Sequence, residues 1–338
     1  MISVTSRVVV LVATTLFLLF SGQSYVSAAD VASPCLLMDN DAYQLDCFRK
    51  NSSSDDHSVV SQTKKNPMIK PSLTSIWELN DEHNRGTFHL QPYRANYFLP
   101  VRYSNRMNLK PNSPAEDHSI INDLPLNVTE AKFQFSVKFK VWETLFKNNG
   151  DLWFGYTQQS NWQLYNGTDI VSAAFRETNY EPEVILTLRT DRSLLGWHWR
   201  MLNIGFLHQS NGRELPLSRS WNRLYGEFGL ERGRLTLNVR PWLRVPEKSK
   251  KDDNSDIRYY LGSSDTRLTY VDDGNVYSIL GRYSMSGRRG ALQLDWAFPI
   301  SGALKGYVQL FSGYGESLID YNHSQTVLGV GVLLVPWQ

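Results

Sequence analysis

The stretch Lys132-Phe133-Gln134-Phe135-Ser136-Val137-Lys138-Phe139-Lys140-Val141 decides the fold. Phe133, Phe135, Val137, Phe139 and Val141 share one parity, and Lys132, Gln134, Ser136, Lys138 and Lys140 share the other. A side-chain period of two over such a length is a β-strand with one apolar and one polar face. The texture repeats outward in both directions. Val184, Leu186 and Leu188 alternate with Ile185, Thr187 and Arg189; Leu235, Leu237 and Val239 with Arg234, Thr236, Asn238 and Arg240; Leu292, Leu294, Trp296 and Phe298 with Gln293 and Asp295; and Leu328, Val330, Val332 and Leu334 with Gly329, Gly331 and Leu333. Counting such runs between Asn, Gly, Asp and Ser clusters predicts twelve strands, at about 88–100, 131–142, 150–163, 181–191, 197–210, 220–230, 233–245, 258–272, 275–284, 290–300, 303–314 and 325–335.

A soluble β-sandwich also alternates. Three features favour a membrane barrel instead. The strands are about ten residues long, as a tilted spanning strand requires, against the usual five or six. Aromatics flank the apolar faces (Trp142, Trp153, Trp162, Trp197, Trp242, Trp296, Tyr307, Trp337), as interfacial girdles do. The opposite faces carry Lys, Arg, Gln and Asp, which suits a hydrated interior. The expectation is an all-β, twelve-stranded antiparallel transmembrane β-barrel.

Composition agrees. The chain has 338 residues, 41% hydrophobic and 20% charged. A polytopic helical membrane protein is excluded, because each span needs about 20 apolar residues and only the N-terminus offers such a run. A net charge of +2 gives no pull toward nucleic acid. With 10 Trp, 17 Tyr and 15 Phe, the chain is not disordered throughout.

The N-terminus reads as a secretory signal over 1–28. Arg7 precedes an apolar run from Val8 to Phe20, and Val26-Ser27-Ala28-Ala29 offers the small residues of a cleavage site. An uncleaved anchor helix is the alternative. Cys35 and Cys47, the only cysteines, would meet an oxidising compartment and form a local disulfide; two free thiols are the other reading. Lys50 to Pro71 is a polar linker. The expected organisation is signal 1–28, a periplasmic segment 29–86 and a barrel 87–338.

Short turns such as Leu230-Glu231-Arg232-Gly233 alternate with longer connections such as Asn211 to Arg219. This gives the barrel two unlike ends, with the long loops outside. Near one long loop, Leu202, Ile204 and Phe206 form an apolar row that His208 and Ser210 continue. If His208 faces Asn222 across a hairpin, Phe206 faces Leu224, Ile204 faces Gly226 and Leu202 faces Phe228, all on one side. A polar trio then sits on the lipid-facing wall, where it is costly unless it acts. The chemistry it suggests is acyl transfer, with Ser210 as nucleophile, His208 as base and Asn222 orienting the imidazole. Asn in place of Asp weakens support for the imidazolium, so another charge-handling device is expected. The bland alternative is three polar residues at headgroup level.

The stretch His208-Gln209-Ser210-Asn211-Gly212-Arg213 with Ser218-Arg219-Ser220-Trp221-Asn222-Arg223-Leu224-Tyr225 resembles the signature of the outer membrane phospholipase A family. So do Phe175-Arg176-Glu177-Thr178-Asn179-Tyr180-Glu181-Pro182 and Tyr314-Gly315-Glu316-Ser317-Leu318-Ile319-Asp320-Tyr321-Asn322. The likeness runs from about Thr87 onward. It implies an outer-membrane enzyme that hydrolyses 1-acyl and 2-acyl esters of membrane glycerophospholipids, with its site at the cell surface. It implies the same triad roles, and Ca²⁺ bound between two protomers by the backbone carbonyls of Arg213 and Ser218 and the side chain of Ser172 from the partner. Activity would then require a homodimer. Gln159 or Gln163 would lie on the dimer face, and Arg176, Glu177, Asn179 and Glu181 would form an interior network. The chain departs from the family in its N-terminal segment and in ending Pro336-Trp337-Gln338. A catalytically silent porin-like barrel and an adhesin barrel are the competing readings.

Overall fold

The structure, a computed structural model, describes residues 72–167 and 175–335. The expected signal, both cysteines, the linker, Ser172 and Trp337 lie outside the described residues. Twelve antiparallel strands follow one another around a wall: β1 Asn96–Ser104, β2 Thr129–Trp142, β3 Asp151–Trp162, β4 Phe175–Leu194, β5 Trp197–Ser210, β6 Ser220–Arg232, β7 Leu235–Arg244, β8 Ser264–Asp272, β9 Asn275–Ser284, β10 Arg289–Ser301, β11 Leu304–Tyr314 and β12 Ser324–Val335. β12 pairs back onto β1 (Leu328↔Tyr103, Val330↔Val101), so the sheet closes and leaves no free edge.

The burial along β2 is the reverse of a soluble strand. Lys132, Ser136, Lys138 and Lys140 are buried, while Phe135 and Val141 are exposed. The polar parity faces the lumen and the apolar parity faces out. The inversion holds around the wall: Val184, Ile204, Phe206, Leu224, Ile279, Leu294, Leu310 and Val330 are all exposed. Such an apolar belt is stable against lipid and costly against water. Among the described residues, no helix is long and apolar enough to cross a membrane.

Three details correct the sequence reading. Residues 258–272 are not one strand: a short helix (Ile257–Leu261) and Gly262 precede β8. The first strand starts at Asn96 rather than near 88; Gln91 and Pro92 only bridge to β2. Trp153, Trp242 and Tyr307 belong to no girdle, because they share parity with luminal residues and are buried inside. Trp142 and Trp296 do lie exposed on the outer wall.

The two ends differ as expected. At one end β4–β5, β6–β7, β8–β9 and β10–β11 are joined by two-residue turns; the other end carries the long connections 105–128, 211–219, 245–263 and 315–323. The short-turn end is filled from within by residues 72–79 and Tyr93. Helix α1 (Leu73–Ile76) is started by a capping box between Ser72 and Ser75; the helix Ile257–Leu261 is α2. Leu73 N–H donates to Glu231 Oε1 at 2.7 Å, which ties α1 to the wall. Leu73, Ile76, Trp77, Tyr93, Trp153, Ile185 and Met201 form one buried cluster. Lys138 Nζ makes no hydrogen bond and lies 3.3 Å from the Trp77 ring centroid, 4.8 Å from that of Trp153. Aromatic faces compensate it for lost water, by about 2 kcal/mol in a desolvated site.

Candidate active site

The hairpin β5–β6 pairs in the expected register: His208↔Asn222, Phe206↔Leu224, Ile204↔Gly226 and Leu202↔Phe228. Ile204, Phe206, Leu224 and Phe228 are exposed on the outer wall. His208, Ser210 and Asn222 extend that face toward the long-loop end, each half-buried. The structure thus brings the three together where polar groups meet the apolar belt.

Asn222 Oδ1 lies 2.8 Å from His208 Nδ1. A carbonyl oxygen only accepts, so the hydrogen resides on Nδ1 and Nε2 keeps its lone pair. Ser210 follows two residues later on the same face; no hydrogen bond joins it to His208 among the described residues, a looseness common in sites without substrate. Asn222 Nδ2 donates to Glu247 Oε1 at 2.8 Å. Glu247 sits in the 245–263 connection. Burial raises its carboxyl above the ordinary value, although the bond from Asn222 and the charge of Arg244 pull it down.

The turn 211–219 after Ser210 is built by one buried side chain. Asn211 Oδ1 accepts from the N–H groups of Arg219 (3.0 Å) and Arg213 (3.3 Å), while Nδ2 donates to the Leu217 carbonyl (2.8 Å) and Glu177 Oε2 (3.2 Å). Gly212 has φ +61°, a left-handed geometry that glycine adopts freely, and a Cβ there would press on the Tyr180 ring at 3.1 Å. Glu177 Oε1 also accepts from Ile319 N–H (3.0 Å), and Asn179 Oδ1 from Leu318 N–H (2.9 Å). Below, Arg176 binds Glu130 (2.6 Å) and Asp320 (3.0 Å), and Glu316 binds Lys132 (2.7 Å) and Arg102 (3.0 Å). The sequence blocks 175–182 and 314–322 therefore interlock inside the barrel and hold the turn from beneath. Arg176, Glu177 and Asn179 lie in this network; Glu181 pairs with Arg94 at 2.6 Å.

Of the candidate calcium residues, Arg213 and Ser218 lie within this turn, and Ser172 lies outside the described residues. The Ser218 carbonyl accepts from Arg219 Nη1 at 2.6 Å, and Ser218 Oγ donates to Asp253 Oδ2 at 2.8 Å. Among the described residues there is no cluster of three or more His, Cys, Asp or Glu that could hold a metal. The donors at hand are carbonyl, hydroxyl and carboxylate oxygens, the hard set that calcium takes, so the residues fit that ion.

Neither expected interface glutamine faces outward. Gln159 Nε2 donates to the Glu316 carbonyl (3.2 Å), and Gln163 is fully buried with Glu130 (2.7 Å). Both have luminal partners. The outward glutamine is Gln158, which accepts from Tyr156 Oη (3.0 Å) and donates to Ser160 Oγ (3.4 Å). Gln158 pairs with Tyr180 and Tyr180 with Ser210, so it lies one strand beyond the Ser210 neighbour.

Sequence reasoning passed over Glu247 and the builder's part of Asn211. Asn211 was visible only as a member of a motif. Glu247 lies in a run of Lys, Ser and Asp that reads as solvated loop, and nothing in its spacing points to Asn222.

Residues 73–334 match the sequence model of the family Phospholipase A1. The chain is 44% identical over 266 residues to a putative phospholipase A1 of Neisseria meningitidis, covering 77% of this chain and 69% of that one. Its fold is similar to Escherichia coli outer membrane phospholipase A carrying an asparagine-to-alanine change in the active site, with TM-score 0.68, 37% identity, and 78% and 98% of the two chains covered. It is also similar to a calcium-bound dimer of outer membrane phospholipase from Salmonella typhi, with TM-score 0.67, 37% identity, and 77% and 97% covered.

Proposed function

The chain belongs to the phospholipase A1 family, and from that premise we propose that Ser210, His208 and Asn222 hydrolyse 1-acyl and 2-acyl esters of membrane glycerophospholipids. One observation carries this reading: a His–Asn pair at 2.8 Å, with a serine two residues away, on the lipid-facing wall of an outer-membrane barrel. The acyl chains of a phospholipid would lie along Ile204, Phe206, Leu224 and Phe228, which brings the ester to the level of Ser210.

Ser210 Oγ attacks the ester carbonyl while His208 Nε2 takes its proton. The tetrahedral adduct collapses, the proton passes from His208 to the leaving lysophospholipid oxygen, and the acyl group remains on Ser210. A water activated by the same nitrogen then releases the fatty acid and restores the serine. Asn222 keeps the proton on Nδ1 throughout, as the orienting member of such a triad does.

Arg213 and Ser218, with Ser172 of a second copy, would hold Ca²⁺. That ion would stabilise negative charge on the substrate oxygen. The ligand set spans two chains, so activity would depend on a homodimer. The calcium-bound dimeric relative supports this reading. Gln158 is the outward polar residue suited to the dimer face, where it could bond its symmetry mate. The long-loop end, and with it the site, would face the cell surface. Residues 1–28 would be removed as a signal, and Cys35 and Cys47 would pair in the segment before the barrel.

The test is fatty-acid release from phosphatidylcholine in detergent, with Ca²⁺ or EDTA. Ser210→Ala should lose at least ~10⁴-fold in kcat, and EDTA should abolish wild-type release. Equal release by wild type and Ser210→Ala would remove the nucleophile, and release unaffected by EDTA would remove the calcium role.

A further inference from the structure

We infer that Glu247 is a positioning residue of this site, fixing the Asn222 amide and placing a negative charge two hydrogen bonds behind the His208 imidazole. The inference rests on the hydrolase reading above and adds to the triad a member from a different loop.

An asparagine is a poor orienting group by itself. Its oxygen and nitrogen ends have nearly the same shape, and a half-turn of the amide exchanges them. With Nδ2 toward the imidazole, His208 would have to carry its proton on Nε2, and the base facing Ser210 would be lost. Something must break this symmetry. Glu247 Oε1, 2.8 Å from Asn222 Nδ2, does so, because a carboxylate accepts and cannot donate. With Nδ2 committed to Glu247, Oδ1 is left for His208 Nδ1, 2.8 Å away.

The backbone holds this geometry. Val245 N–H donates to the Asn222 carbonyl at 2.9 Å, so the chain leaving β7 stays paired with β6 up to two residues before Glu247. The charged groups facing the Glu247 carboxylate are Arg244 from β7 and Asp252 and Asp253 from its own loop. Arg244 is itself engaged by Asp252. Glu247 is half-buried at the rim of the apolar belt, where the local dielectric is low and a chain of hydrogen bonds polarises each member. The relay from Glu247 through Asn222 to His208 therefore supplies the anion that Asn alone withholds from the imidazolium.

The experiment uses full-length protein in detergent micelles with Ca²⁺, comparing wild type, Ser210→Ala, Glu247→Gln, Asn222→Asp and the double variant Asn222→Asp/Glu247→Gln. Heat-modifiable gel mobility reports that each barrel is folded. Glu247→Gln should lower kcat about 10-fold with KM unchanged, and should move the acid limb of the kcat/KM profile to lower pH because the imidazolium is less supported. Asn222→Asp sets two carboxylates against each other and should lose about 100-fold at neutral pH. In the double variant the amide introduced at position 247 can donate to the carboxylate introduced at position 222, and about 10-fold of that loss should be recovered. With Ser210→Ala inactive, a Glu247→Gln enzyme with wild-type kcat and an unmoved acid limb overturns the positioning role and leaves the hydrolase reading standing. A double variant no better than Asn222→Asp overturns it equally. Undiminished release by Ser210→Ala overturns both readings together.

Discussion

Two arcs of the same outer wall carry opposite surfaces. On the arc β8–β12, the outward side chains are Tyr270, Tyr277, Ile279, Leu292, Leu294, Trp296, Leu310, Leu328 and Val330, all exposed and apolar or aromatic. The polar exceptions lie toward the loop end: Thr266 is exposed, and Ser312 and Thr326 satisfy each other at 3.0 Å. On the arc β3–β6, the belt gives way to Gln158, Ser160, Thr178, His208, Ser210 and Asn222. Hydrogen bonds run along this arc too: Ser160 and Thr178 lie 3.1 Å apart, and His208, Asn222 and Glu247 form a chain. The difference lies behind the wall. The turn that follows Ser210 is held from inside by Asn211, Glu177 and the 315–323 connection. A polar group on a lipid-facing surface is expensive, and only the arc with that inner scaffold carries a row of them.

The most damaging way to erase the contrast, short of removing the proposed triad, is to cut the scaffold. Asn211→Ala removes four hydrogen bonds at once and leaves Glu177 and two backbone N–H groups short of partners. The turn bearing the Arg213 and Ser218 carbonyls should lose its shape. The expected outcome is a loss of about 100-fold in kcat/KM and a higher Ca²⁺ requirement, with the barrel still folded by gel mobility. Wild-type activity at unchanged Ca²⁺ would show that the turn does not need its buried asparagine.

A smaller effect is expected at Gln158. Gln158→Leu makes the active arc as apolar as the quiet one at that point. Hydrogen bonds between membrane-embedded side chains contribute about 0.6 kcal/mol on average and up to about 1.7. The variant should therefore self-associate roughly 3- to 18-fold more weakly by sedimentation in detergent, and lose activity at low protein concentration but not at high. Leu294→Ala on the quiet arc should leave association alone. If the two substitutions weaken the dimer equally, the active arc is not the interface.

How much of this could be read from the chain follows from which contacts are local. The β5–β6 register was legible, because a period of two fixes parity and one pair, His208 with Asn222, then fixes the rest. The inward turn of Trp153, Trp242 and Tyr307 was equally legible from parity, but their aromatic character suggested girdles. α2 was hidden, because Ile257-Arg258-Tyr259-Tyr260-Leu261 is too short to display a helical period. The link from Glu247 to Asn222 was not legible. It joins a loop to a neighbouring strand, and no pattern within either segment encodes the other. The interlock of 175–182 with 314–322 belongs to the same class: the resemblance marked both blocks, while their contact is a property of closure.

The interlock also offers the gentlest test of the scaffold, by acid. Burial alone would raise the Glu316 carboxyl, but Arg102 and Lys132 outweigh it and hold the group well below its ordinary value of 4.5. Asp320 is likewise held below its ordinary value of 3.8: burial acts upward, and Arg176 with the Ser317 hydroxyl acts downward more strongly. A carboxylate whose folded value is depressed binds fewer protons folded than unfolded. Its contribution is therefore complete above the ordinary value and is lost as pH falls from there toward the folded value. Their share of the thermal stability should be constant from neutral pH to about 5 and decline only below that. Glu316→Gln should lower the midpoint at neutral pH, by removing one partner from two buried cations, and should flatten the decline in acid. The quiet arc supplies the control, since Leu294→Ala should shift the whole curve down without changing its slope. An acid limb that is as steep in Glu316→Gln as in wild type would mean that the scaffold's stability in acid is set elsewhere, and that the active arc does not depend on this ion network in the way its geometry implies.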